Sequence, residues 1–337
     1  MHTEQILGRS AWRGADLTKR DFHATLSDAE LTRIDALMAR VREKDVLDIT
    51  ADDFSDDVIA SFMAPVRTEL RDGRGLVIVD GCGAGRYTRD EQAKIFWGLG
   101  THIGVAETQS IFGDRIGHVQ KTLVNPNDRG YRSDRELQLH CDSTDVAGLL
   151  CLQVARSGGI SRFTSALAVH DEMLKTCPEL LPPLYEGYFY HRSGEQLPQE
   201  PPITPYKVPV FAFRDGLVSC HYLRAFIDMA ARELEPDGAV PEPLLTALTK
   251  LDEIATRADI MAEFYAEPGD MMFMNNHMIL HARSSFTDHP EPDRRRHMLR
   301  LWLEVDDLRP IAPEMDVHGK GGIKAQPALV KEYVGAA

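Results

Sequence analysis

Met271-Met272-Phe273-Met274-Asn275-Asn276-His277-Met278-Ile279-Leu280-His281-Ala282-Arg283 follows the turn Glu267-Pro268-Gly269-Asp270 as a long apolar run broken by a few polar side chains. With His297-Met298-Leu299-Arg300-Leu301-Trp302-Leu303 downstream, it reads as one of a pair of long strands, 271–286 against 297–305. Shorter β-like runs separated by turn residues lie upstream at 116–124, 137–142, 149–154 and 163–165. Runs 208–213 and 217–222 flank Arg214-Asp215-Gly216 and predict a hairpin, because Asp-Gly adopts positive φ at little cost. The reading is of a mainly β chain with helices (α+β), its antiparallel strands forming a sandwich or barrel.

The helices fall at the front and in an insertion. Ser27 followed by Glu30 is a capping box, and Leu31, Ile34, Leu37, Met38 and Val41 follow at helical spacing. A second helical pattern follows Asp56 and stops at Gly73, and Leu76-Val77-Ile78-Val79 is then a buried strand. Thr88 and Glu91 form another capping box, opening a helix that ends near Gly100. Helices are also expected over 223–232 and 241–258. Gly81-Cys82-Gly83-Ala84-Gly85 lies between strand and helix as a dinucleotide loop would, but the glycine spacing fails and no parallel βαβ series follows, so it reads as a turn.

The chain has 337 residues and a formal charge of −14, which argues against nucleic acid or anionic membranes as partners. Five well-separated cysteines suggest neither a disulfide framework nor a zinc site and fit a reducing cytoplasm. No stretch reads as a signal peptide or membrane span.

Chemistry concentrates in two segments. On a strand, His140 and Asp142 of Leu139-His140-Cys141-Asp142-Ser143 project from one face and could grip one ion. The distant segment carries His277 and His281, then Arg294-Arg295-Arg296. Two imidazoles and one carboxylate make the facial triad of non-haem Fe(II) oxygenases, and a nearby Arg fork suits a carboxylate. His277 competes with His281 as a ligand. A helical His277-x-x-x-His281 zinc site lacks the intervening Glu of zinc hydrolases, so His277 reads better as a histidine near the pocket.

Residues 75–305 resemble the TauD/TfdA (clavaminate synthase-like) family of Fe(II)- and 2-oxoglutarate-dependent dioxygenases. The likeness rests on Gly73-Arg74-Gly75, His140-x-Asp142, Ser157-Gly158-Gly159-Ile160-Ser161, Pro268-Gly269-Asp270, Asn275-Asn276, His281-x-Arg283 and Arg295-Arg296-His297-x-Leu299-Arg300-Leu301-Trp302. It implies a double-stranded β-helix (jelly roll) with N-terminal helices and an inserted helical segment. It also implies Fe(II) on His140, Asp142 and His281, with 2-oxoglutarate and O2 as cosubstrates. By the same likeness Arg296 takes the distal carboxylate, Ser161 stands where relatives often have Thr, and Arg300 lies near the cosubstrate or substrate carboxylate. Arg295 competes with Arg296, although strand parity places 296, 298 and 300 on one face. Asp142, where halogenases of the family have a small residue, implies hydroxylation or desaturation.

The expected organisation is a single domain over 1–337, with a helical part at 1–72, a catalytic jelly roll at about 75–305 and a tail at 306–337. Gln109, Gln138, Tyr222 and Arg224 are expected to face the substrate, a small organic acid or amino-acid-like molecule. A homo-oligomer is compatible with the sequence. Two rival classes leave features unexplained: a cupin-like metal enzyme without 2-oxoglutarate gives Arg296 no task, and a non-catalytic barrel leaves the ligand set without a purpose.

Overall fold

The central strands of the larger sheet, Leu76–Asp80, Val146–Gln153, Met271–Asn275 and His297–Glu304, are buried on both faces, and helices cover one of those faces. The structure, a computed structural model, describes residues 1–83, 85–122 and 132–326. In chain order the elements are β1 (His23–Thr25), α1 (Asp28–Val41), α2 (Asp57–Arg71), β2 (Leu76–Asp80), α3 (Arg89–Thr101), β3 (Val105–Ala106), β4 (Ile116–Val119) and β5 (Leu137–His140). Then come β6 (Val146–Gln153), β7 (Ser157–Gly158), β8 (Ser161–Ser165), α4 (Ala166–Thr176), α5 (Leu181–Glu186), β9 (Phe211–Arg214), β10 (Leu217–Cys220), α6 (Arg224–Leu234) and α7 (Leu244–Ala255). The last are β11 (Ala262–Phe264), β12 (Met271–Asn275), β13 (Ile279–Arg283), β14 (Phe286–Thr287) and β15 (His297–Glu304).

The architecture is mixed α+β. A seven-stranded sheet runs β1-β2-β12-β6-β15-β3 with β4 also on β15, and a four-stranded sheet runs β11-β8-β13-β5. Strand alternation sorts the side chains of the large sheet. Leu76, Ile78, Ala147, Cys151, Met272, Met274, Met298 and Trp302 share a core with Leu139, Phe163 and Leu280 of the small sheet. Val77, Val79, Val146, Leu150, Phe273, Leu299, Leu301 and Leu303 point the other way, onto α1, α2 and α3. Each large side chain so buried contributes about 1.5–3 kcal/mol, which holds the N-terminal helices against the sheet.

Local signals set the helix ends. Ser27 with Glu30 and Thr88 with Glu91 both form complete capping boxes, and the Asp56 carboxylate accepts from the amides of Val58 and Ile59. The predicted hairpin is β9–β10, with φ of 50° at Asp215 and 81° at Gly216.

Three expectations need correction. The run 271–286 is not one strand paired with 297–305: β12 belongs to the large sheet and β13 to the small one. The chain turns at Asn275, whose side chain accepts from the His277 amide and donates to the Leu70 carbonyl, while β15 pairs with β6, β4 and β3. His277 and His281 are consequently not on a helix. Asp142 lies two residues beyond the end of β5 instead of on the strand. The strand expected over 116–124 runs only to Val119, and residues 123–124, Ala84 and the tail beyond 326 lie outside the described residues.

Candidate active site

Register brings the two imidazoles together. His281 of β13 is paired directly with His140 of β5, with ring centroids 4.3 Å apart. Asp142 reaches the same point because the chain past β5 is fastened on two sides: the Cys141 amide donates to the Tyr222 carbonyl (2.7 Å) and the Asp142 amide to Asn276 Oδ1 (3.0 Å). His140 Nε2 then lies 3.9 Å from Asp142 Oδ1, and His281 Nε2 lies 3.8 Å from Oδ2. Cys141 turns away, its thiol facing the Ile279 carbonyl in the core.

These residues fit a divalent metal. One donor atom from each of the three lies within 4.8 Å of the other two. His140 Nδ1 contacts the Gln138 carbonyl at 2.8 Å, which fixes the ring and leaves Nε2 to ligate. Burial and the neighbouring His140 push His281 down to about 3, so it is offered neutral. Burial works to raise the Asp142 carboxyl, but Arg300, His281, His140 and the Trp302 indole outweigh it, so the group is held ionised below its ordinary value. Trp302 Nε1 donates to Oδ2 (3.1 Å), and Arg300 Nη1 is 3.3 Å from Oδ1.

The large sheet supplies the cations. Arg296 is 6% exposed, one Nη has no hydrogen-bond partner among the described residues, and the other contacts Met298 Sδ at 2.7 Å. A cavity of about 360 Å³ abuts it, lined also by Cys151, Gly159 and Tyr265. Arg295, which like Arg296 lies just outside β15, is half-buried and donates to the Pro290 carbonyl. Ser161 is buried at the start of β8. It pairs with Arg283 and shares the face of the sheet that carries Phe163 and His281.

Three of the four residues expected to face substrate have side-chain contacts elsewhere. Gln109 is buried against Arg300, with hydrogen bonds to its side chain and its backbone. Gln138 has an exposed side chain. The Tyr222 hydroxyl donates to Asp252 (2.6 Å), and Arg224 pairs with Asp228 (2.8 Å) and Asp252 (3.3 Å). His277 Nε2 contacts Asp145 at 2.8 Å.

Sequence reasoning included Asn276 and Trp302 in the motifs of the likeness but gave them no role; both orient Asp142. It missed a buried polar chain beside Asp142. Ser143 Oγ lies 3.4 Å from the Tyr190 hydroxyl, Tyr190 packs on His221 with centroids 5.3 Å apart, and His318 stands 3.4 Å from Glu195. Buried His221 Nε2 and Asn276 Nδ2 have no hydrogen-bond partner among the described residues.

Glu107 is a further buried acid, accepting from Thr144 Oγ1 at 2.7 Å. Burial, with Asp145, Glu304 and Asp316 nearby, pushes its carboxyl up to about 7. The folded state therefore binds this proton more tightly than the unfolded chain does. Its stabilisation is complete below the ordinary carboxyl range and lost as pH rises through about 7. Denaturant unfolding should show the native protein losing about 3 kcal/mol more than Glu107→Gln between pH 5 and 8. Equal pH dependence in the two proteins would refute this.

Comparison with known proteins agrees with the geometry. Residues 45–302 match the family model "Taurine catabolism dioxygenase TauD, TfdA family". The FR-33289 synthase of Streptomyces rubellomurinus is 31% identical over 331 residues, covering 95% of this chain and 96% of that protein. An asparagine oxygenase solved with Fe(II), 2S,3S-3-hydroxyasparagine and succinate superposes with a TM-score of 0.66 at 14% identity, covering 84% of this chain and 93% of that one. The non-haem iron oxygenase OrfP, solved with Fe and alpha-ketoglutaric acid, gives 0.61 at 16% identity, covering 84% and 94%. The last two likenesses concern the fold.

Proposed function

The chain belongs to the taurine catabolism dioxygenase TauD, TfdA family and is an Fe(II)- and 2-oxoglutarate-dependent oxygenase, and from that premise we propose that His140, Asp142 and His281 hold the iron while Arg296 anchors the cosubstrate. One observation carries the assignment: a ligand atom from each of His140, Asp142 and His281 lies within 4.8 Å of the other two, and a buried Arg296 stands just before β15. When bound, iron and 2-oxoglutarate supply the oxidising power, O2 being divided between succinate and a hydroxylated product with release of CO2.

The chain's own residues bind and orient. The neutral His281 imidazole and the ionised Asp142 carboxylate offer ligand atoms without a proton to displace. Arg296 receives the distal carboxylate of 2-oxoglutarate in a fork, and Ser161 stands on the same face as His281 to touch the cosubstrate. The apolar shell of Leu139, Phe163 and Met298 keeps the site dry.

The substrate is a small molecule, and we take it to be a carboxylate or amino-acid-like compound. Support comes from the buried polar chain of Tyr190, His221, His318 and Glu195 beside Asp142, and from the hydroxylated amino acids bound in the asparagine oxygenase and OrfP complexes. The two sheets are read as the halves of a jelly roll within a single domain. The tail joins it, since Ile323 donates to the Thr108 carbonyl and Lys320 pairs with Glu304. Among the described residues no helix is long and apolar enough to cross a membrane. A cytoplasmic location belongs to the same proposal, all five cysteines being free thiols.

Anaerobic addition of Fe(II) and 2-oxoglutarate should give a weak visible charge-transfer band, and admitting O2 should yield succinate. Metal binding with no band at saturating 2-oxoglutarate would overturn the reading.

A further inference from the structure

We infer that Gln109 is a positioning residue: it fixes the guanidinium of Arg300 and, through it, the Asp142 carboxylate. The inference rests on the reading of Asp142 as a metal ligand. Gln109 is 2% exposed and directs both ends of its amide at the same arginine. Its Oε1 accepts from Arg300 Nε at 2.8 Å, while its Nε2 donates to the Arg300 carbonyl at 2.9 Å and to the Arg115 carbonyl at 3.1 Å. The partners settle the orientation of the amide, because a guanidinium Nε only donates and a carbonyl only accepts. Space for the amide is built into the neighbouring strand. Gly117 pairs with Arg300, and a Cβ there would fall 2.3 Å from Gln109 Oε1.

A clamped Arg300 has little freedom. Its guanidinium lies 5.0 Å from the Trp302 ring, and its Nη1 is left aimed at Asp142 Oδ1, at 3.3 Å. Trp302 Nε1 holds the other oxygen, Oδ2. Arg300 Nη1 also lies 3.5 Å from Oδ2, so Arg300 and Trp302 together fix both carboxylate oxygens. A free arginine would sample many rotamers and could draw the carboxylate out of line. The clamp holds the ligand in register before metal arrives.

Co(II) alone, titrated anaerobically by its visible absorption without 2-oxoglutarate, tests the inference without the chemistry of turnover. Gln109→Leu should weaken Co(II) binding about 10-fold or more. Gln109→Met, of similar volume and without an acceptor, carries the same expectation if the leucine variant does not fold. Gln109→Glu retains an acceptor for Nε and should stay within about threefold of the native affinity. Because Gln109 acts through Arg300, Gln109→Leu combined with Arg300→Met should bind no more weakly than Arg300→Met alone. Native affinity in both the leucine and methionine variants, or losses that multiply in the double variant, would overturn the inference. Failure of the native protein to bind Co(II) would instead sink the metal-site reading itself.

Discussion

His281→Ala is expected to abolish stoichiometric Fe(II) binding and to lower succinate formation by a factor on the order of 10³ or more, with the fold retained. The side chain is 8% exposed and sits opposite His140 in the β5–β13 pairing, so no other imidazole can move into its place without breaking that register. Burial keeps the ring neutral, down to about 3, which means that its loss removes a ready ligand and no charge. The remaining His140 and Asp142 form a two-point site, too few to hold iron against water. Stability should suffer little, because His281 Nδ1 is itself a buried atom without a hydrogen-bond partner, and removing it offsets part of the cavity left behind. His277→Ala is the contrasting variant. It breaks the contact with Asp145, so it should cost about 1–3 kcal/mol of stability while leaving the triad in place. Anaerobic Fe(II) titration with thermal melting of both variants checks the pair of expectations. Native iron affinity in His281→Ala would show that the triad is misassigned.

What the sequence reveals and what it hides follow from the range of the forces involved. Ser27, Asp56 and Thr88 fix helix starts through contacts two or three residues away, so α1, α2 and α3 are readable almost to the residue. The Asp215-Gly216 turn is equally local. Pairing between distant strands is not. The polar Asn275-Asn276-His277 interrupts the run from Met271 to Arg283 where the chain changes sheet, but β12 and β13 are both buried on both faces, so hydropathy on either side does not show that the two halves pair with different partners. The His–Asp–His set is legible because its chemistry restricts the residue types. Gln109, Asn276 and Trp302 hold that set in place through contacts spanning 134 to 191 positions. Sequence motifs include Asn276 and Trp302, and Gln109 is expected near the site, but spacing does not show which distant group an amide or indole holds.

Arg296→Ala is expected to weaken 2-oxoglutarate binding by a factor on the order of 10², corresponding to about 3 kcal/mol, while leaving metal binding intact. Its guanidinium is held from the side: the ring of Phe286 lies 5.4 Å away and also receives Arg283 at 4.5 Å. Among the described residues neither arginine has a carboxylate in a salt bridge. Burial lowers both, Arg283 to about 10, with each guanidinium or its neighbours adding to or offsetting the effect. Two buried cations on one ring are unfavourable until an anion arrives, and the chain as a whole, at −14, offers no such attraction elsewhere on its surface. Arg283 Nη1 and Nη2 already donate to the carbonyls of Ser133 and Arg135, whereas one Nη of Arg296 has no hydrogen-bond partner among the described residues and adjoins the cavity of about 360 Å³. Arg296 is therefore the one poised for a carboxylate. Removing it also relieves an uncompensated buried charge, so the variant should melt no lower than the native protein when both lack 2-oxoglutarate. Adding 2-oxoglutarate with metal should then raise the melting temperature of the native protein and not that of Arg296→Ala. Arg295→Ala, whose side chain reaches only the Pro290 carbonyl, should respond as the native protein does. If Arg295→Ala loses the response and Arg296→Ala keeps it, the two adjacent arginines must exchange roles and β15 must present the opposite face to the core.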